Sequence, residues 1–221
     1  LWLFGGIDAP SIIGMNFYND LWKYDISTGN WTWMKGSNTP NQQGVYGVQC
    51  VASAANTPGS RGETRSCWTD DCGNFWLFGG RDINADSYND LWKYDTGLNQ
   101  WIWVSGSNAV KDRGNYGTVM VPFPSNVPPA RDGSLSWKNY EGLWLFGGLN
   151  MSGELNDLWK YIFTPDTAIF TAVPSIGCAP LTVSFNNLSL GDCTSPYTYH
   201  WNFGDPASGA LDTSTAFSPT H

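Results

Sequence analysis

The run Leu-Trp-Leu-Phe-Gly-Gly at residues 1–6 returns as FWLFGG at residues 75–80 and again as LWLFGG at residues 143–148. Each copy is followed by Asn-Asp-Leu-Trp-Lys-Tyr, at residues 19–24, 89–94 and 156–161. The first two copies continue into WTWMKGSN (residues 31–38) and WIWVSGSN (residues 101–108). Blocks that recur in fixed order about every 70 residues mark one supersecondary unit copied along the chain. Such units hide their apolar faces by stacking on one another, so the repeat constrains the architecture before any single residue does.

Inside each copy the apolar stretches are short, rich in aromatic and β-branched residues, and separated by Gly, Asn, Asp and Ser, which predicts strands. Four per copy are expected. Residues 61–68 and 131–137 open the second and third copies, and residues 74–78 and 142–146 follow, each closed by the double glycine. Residues 91–94 and 100–104 supply the third and fourth strands. Leu1, Trp2, Leu3 and Phe4 are apolar at every position, a pattern that requires burial on both faces. Trp31 and Trp33, like Trp101 and Trp103, are two residues apart and therefore share one side of a strand.

Composition narrows the class. Charged residues make up only 14% of the chain, so Asn, Ser, Thr and Gly must cover much of the surface, a style of extracellular β-proteins. The net charge of −8 offers no basic patch to displace counterions from nucleic acid and repels anionic membranes. No run approaches the roughly 18 apolar residues of a membrane helix, so no direct membrane insertion is expected. Among the five cysteines, Cys178 and Cys193 form the most natural pair. Cys67 and Cys72 flank the turn Thr69-Asp70-Asp71, where a clip is expected, and Cys50 is an alternative partner for either. The competing reading is small buried side chains; bridges would imply an oxidising compartment.

A four-stranded unit with a double glycine after its second strand, then an aromatic pair and a Trp on the outer strand, resembles a kelch blade. The resemblance covers residues 1–162. It implies an all-β fold, a partial kelch-type β-propeller of about three incomplete blades packed around a central channel. Kelch repeats run nearer ~50 residues. The surplus here lies in two inserts, residues 39–60 and 109–130, each with a Gly-X-Tyr-Gly core at residues 44–47 and 114–117. The chain enters in mid-blade, so a fragment of a longer protein is expected. From residue 170 the style changes. The segment APLTVSF (residues 179–185) followed by WNFGD (residues 201–205) resembles a PKD domain, an immunoglobulin-like β-sandwich, here truncated before its last strands. The expected division is propeller 1–162, linker 163–168 around Pro165 and Asp166, and sandwich 169–221. Together the two resemblances imply a large secreted or surface protein of bacteria.

The kelch-propeller relative with chemistry is galactose oxidase, whose copper is held by histidines and tyrosines. This chain has only His200 and His221, both in the PKD-like part, so a non-catalytic segment is expected. Glycoside hydrolysis needs two carboxylates across a sugar bond. Asp20, Asp90 and Asp157 recur in the repeated block, which assigns them to turns that bond backbone amides; Asp205 is read the same way. Arg61 and Arg131 open inner strands near the expected channel mouth. There a guanidinium would grip a carboxylate or sugar hydroxyl, or tie to carbonyls of the next blade. Asp82, Asn84 and Asp86 have the spacing of the start of a calcium loop, but Ser87 and Lys93 stand where an EF-hand needs Gly and Glu; calcium is therefore a possible ligand of a plain polar loop. The recurring tryptophans are assigned to packing between blades. Tyr46 and Tyr116, on the inserts, are the candidate aromatic handles for a ligand.

The resulting expectation is a non-catalytic extracellular binding or adhesion segment that recognises a glycan or protein through propeller loops. The alternatives are a structural subunit of an extracellular fibre, associating with further copies, and a piece of a carbohydrate-active enzyme with its catalytic residues elsewhere.

Overall fold

The computed structural model describes residues 1–11, 14–162, 170–178, 180–187 and 199–221. They are all-β, and the chain divides into two compact units, Leu1–Ile162 and Phe163–His221.

The first unit contains three antiparallel meanders, one per copy of the repeat. β1 (Trp2–Ser11), β2 (Gly14–Asp25) and β3 (Asn30–Lys35) form the first sheet; β4 (Cys67–Thr69), β5 (Phe75–Phe78), β6 (Leu91–Asp95) and β7 (Gln100–Ser105) form the second. The third is β8 (Leu135–Asn139), β9 (Gly142–Asn150) and β10 (Gly153–Tyr161). Register repeats with sequence: Trp22 faces Trp33 and Tyr24 faces Trp31, as Trp92 faces Trp103 and Tyr94 faces Trp101. Both sheets carry an irregularity at the same place, between Leu21 and Trp22 and between Leu91 and Trp92.

The expected opening strands are shorter than predicted. Continuous strands start at Cys67 and Leu135 instead of at the arginines, with isolated bridges from Gly62 to Arg81 and from Asp132 to Leu149 ahead of them, because Arg61 and Arg131 use their backbone to reach the preceding repeat. Arg61 N donates to Tyr18 O and Arg61 O accepts from Gly6 N; Arg131 does the same with Tyr88 and Gly80. The first glycine of each pair makes that approach possible. Gly79 has φ +63°, and a Cβ there would lie 2.5 Å from the Arg131 carbonyl, so only glycine fits both the left-handed backbone and the close contact.

The core lies between the first two sheets, where Phe4, Leu21, Phe75, Leu77, Trp92, Tyr94 and Trp101 pack together. Trp2 meets Tyr94 edge-on at 5.5 Å and Phe4 meets Trp101 at 5.5 Å. On the other side of the second sheet, Trp76 meets Tyr161 at 5.6 Å and Trp68 Nε1 donates to the Trp137 carbonyl. All four residues of β5 are buried, as the uniform apolar run requires. The matching run of β1 is buried on one face, with Phe4 inside and Leu3 exposed.

In the second unit β11 (Phe170–Val173) pairs with β12 (Ser184–Asn187) and β13 (Trp201–Asn202) with β14 (Thr213–Ser214), with a 3-10 helix at Pro206–Asp212. Phe170, Phe185, Trp201 and Phe203 form its aromatic cluster, and the His221 ring stacks on Phe203 at 4.4 Å. The expected alternation holds in part: Val183 and Phe185 are half-buried, whereas Leu181 is exposed.

The cysteine expectations need correction. Cys67, Cys72 and Cys178 are free and exposed. Cys67 pairs with Leu77, two residues up the strand from Thr69, while Cys72 sits in the turn beyond. At about 3.3 Å per strand residue, that separation plus the turn exceeds the reach of a bridge. Cys193, the expected partner of Cys178, lies outside the described residues.

Candidate functional site

Three residue types that sequence reading kept apart converge in the second repeat. The Arg61 guanidinium is 0% exposed and grips the Asp90 carboxylate with two bonds, Nη1 to Oδ1 at 2.6 Å and Nη2 to Oδ2 at 2.9 Å. Its remaining donors reach the Gly79 carbonyl (Nη1, 3.0 Å) and the Gly59 carbonyl (Nε, 3.0 Å). Asp90 Oδ2 also accepts the Trp92 indole N–H at 2.7 Å and the Tyr46 hydroxyl at 2.7 Å. The Tyr46 ring covers Trp92 at 4.9 Å and meets Trp103 edge-on at 5.2 Å, while Tyr88 lies under the guanidinium at 4.1 Å. Burial, reinforced by the Asp90 charge, pushes the Tyr46 phenol far above its usual range.

The third repeat builds the same cluster from Arg131, Asp157, Trp159 and Tyr116. Arg131 Nη1 and Nη2 bond the two Asp157 oxygens at 2.6 and 2.7 Å, and the Gly147 carbonyl accepts from Nη1 at 3.0 Å. Trp159 and Tyr116 each donate to Asp157 Oδ2 at 2.7 Å. Partial burial works to raise the Asp157 pKa, but the bonds from Arg131, Trp159 and Tyr116 outweigh it and hold the carboxyl well below the usual carboxylate range.

These contacts correct two expectations. Arg61 and Arg131 are not open to a ligand, because carboxylate and carbonyls take up their donors. Their guanidinium partners belong to their own repeat; it is their backbone that ties to the neighbouring one. Asp90 and Asp157 are arginine partners instead of turn formers. The turn role falls to the preceding residue: Asn19 Oδ1 accepts the Ser37 amide and Asn89 Oδ1 the Ser107 amide, each at 3.0 Å. Tyr46 and Tyr116 are brought together with the arginines, as parts of the scaffold. Sequence reading missed the pairing, although an Arg, an Asp and a Tyr recurring at matching positions of the second and third repeats were the signal for it.

The Asp82 loop is closed on itself. Asp82 Oδ1 accepts the amides of Asn84 (2.8 Å) and Asp86 (3.0 Å), and Asp86 is paired with Lys111 at 2.6 Å. Among the described residues no group of three or more His, Cys, Asp or Glu is placed to hold a metal ion.

The two inserts share a frame and differ in what they cover. Val45 bridges Thr57 and Asn115 bridges Val127; Asn56 Nδ2 donates to Val51 O and Asn126 Nδ2 to Val121 O, both at 2.9 Å. The first insert lies along β7, with Cys50 N donating to Trp103 O and Asn56 Nδ2 to Trp101 O. The tip of the second turns Val119, Met120 and Phe123 to solvent at 88%, 93% and 65% exposure. No described strand lies under it.

No family model matches the chain, and no curated protein matches it. Among solved structures, the structure of YjhT is similar at 16% identity and a TM-score of 0.41, over 84% of this chain and 55% of that one. The chain thus spans a little over half the length of that protein.

Proposed function

We propose that this chain is a non-catalytic extracellular binding or adhesion segment, with kelch-type propeller blades presenting the inserts and a PKD-like sandwich acting as spacer. The observation that carries the reading is where the polar groups of the repeat go. The arginines and carboxylates of the second and third copies bind each other within the scaffold, a role in holding shape rather than in turning over substrate. What the first unit offers outward is a hydrogen-bonded loop with an apolar tip, Val119, Met120 and Phe123, a feature typical of contact surfaces. An extracellular glycan or protein is the partner class.

The test is binding of the purified chain to a glycan array and to a panel of extracellular proteins, beside a Met120→Ser/Phe123→Ser variant. Saturable binding that the variant loses by about tenfold or more supports the reading, since central apolar anchors carry most contact energy. Binding to nothing in either panel, equal binding by the variant, or turnover of a polysaccharide would overturn it.

A further inference from the structure

We propose that the face of the first sheet built from Asp20, Trp22 and Trp33 is a socket for an insert of the Gly-X-Tyr-Gly…Arg kind carried by a further repeat. The chain contains the filled form of this socket twice. In both, an aspartate accepts the indole N–H of the Trp two residues on, two arginine nitrogens and a tyrosine hydroxyl. The first repeat holds the acceptor half alone. Trp22 Nε1 donates to Asp20 Oδ2 at 2.6 Å, so the carboxylate is oriented as in the filled copies, yet among the described residues no arginine or tyrosine approaches it.

The floor matches as well. Trp92 and Trp103, the cross-strand pair beneath Tyr46, correspond to Trp22 and Trp33, which stack at 6.2 Å and 24° and, among the described residues, have no tyrosine over them. Trp33 is 47% exposed. The Gly5 carbonyl occupies the sequence position of Gly79 and Gly147, whose carbonyls each take an arginine Nη1. A half-buried carboxylate, a carbonyl and an indole floor in this arrangement fit one guanidinium and one phenol, with charge complementarity fixing the orientation. A second copy of this chain is not that occupant, because its inserts already spend Arg61 with Tyr46 and Arg131 with Tyr116 on their own aspartates. This reading stands apart from the proposed binding role, since it concerns the opposite kind of surface: an acceptor, not a loop tip.

The test uses the whole chain and a synthetic peptide with the sequence of residues 39–68, carrying C50S and C67S. Titration is expected to change tryptophan emission saturably and to slow amide exchange in β2 and β3. Asp20→Asn, or Arg61→Gln in the peptide, should weaken binding about tenfold or more. Trp33→Ala removes an exposed ring, so it remains informative if Asp20→Asn does not fold; it too should weaken binding. A version with the peptide joined ahead of Leu1 raises the local concentration and should melt higher than the parent, a gain that Asp20→Asn removes. No binding in either format, or binding indifferent to Asp20 and Trp33, overturns the socket. Sedimentation showing that the chain alone dimerises through Asp20 would overturn the stated occupant in favour of a second copy.

Discussion

At the scale of the residue, Asp90 has the most at stake. Its partner Arg61 has no exposed surface, so Asp90→Ala leaves a guanidinium buried with two carbonyls and no counter-charge. Breaking a buried pair from one side costs about 3–5 kcal/mol, and urea unfolding of the variant should show a loss of that order. Asp157→Ala should cost less, because its carboxylate is 16% exposed and water can reach what remains. The two sites also differ in what acid reveals. The Asp157 pKa is depressed in the folded chain, so the stability it contributes is fully present above the ordinary carboxylate value of 3.8 and disappears as pH falls through the folded value. Urea midpoints measured from neutral pH down into that range should fall more steeply for the wild type than for Asp157→Asn. Equal slopes would mean that the carboxylate is not held as the geometry requires. The members of these clusters were visible in sequence, but Arg61 and Asp90 are 29 residues apart, and only a strand register brings them together.

At the scale of the element, identical sequence meets different surroundings. LWLF opens β1, FWLF is β5 and LWLF lies in β9, and the repeat pattern told that each is a strand. It did not tell which one has neighbours on both sides. Leu77 is fully buried whereas Leu3, its counterpart in β1, is 52% exposed. Leu77→Ala should therefore cost about 2–5 kcal/mol through lost burial and the cavity left behind. Leu3→Ala should stay within about 0.5 kcal/mol, as exposed substitutions do. Comparable losses at the two positions would show that the first sheet is covered in solution. The connection after the double glycine shows the same limit. In the first repeat it is taken up by the long β1–β2 hairpin, whereas in the second it becomes the Asp82 loop, closed by side chain to amide bonds. The first connection is longer and carries Ile7, Ile12, Ile13 and Met15, the second is shorter and carries Arg81, Asp82, Asn84 and Asp86, a difference that the repeated blocks on either side do not announce.

At the scale of the molecule, the arginines join repeats in series. Each contributes its side chain to its own sheet and its backbone to the double glycine of the sheet before it, so a repeat is coupled to its neighbours by both packing and hydrogen bonds. Stability in such an array is the sum of unit terms and nearest-neighbour interface terms, which makes position within the array matter. The second sheet has an interface on each side, through Phe4 with Trp101 and through Trp76 with Tyr161. Loosening it by Asp90→Ala removes support from both neighbours, and the first unit should still unfold in one step at lower denaturant. Among the described residues of the first unit, the third sheet touches the array through one interface. Asp157→Ala should let it open first, with amide exchange in β8–β10 released at denaturant concentrations that leave β5–β7 protected. Uniform release across all three sheets in the Asp157 variant would show instead that the arginine ties transmit more energy than the sheets hold individually, so that the repeats fold as one body and not as a chain of neighbours.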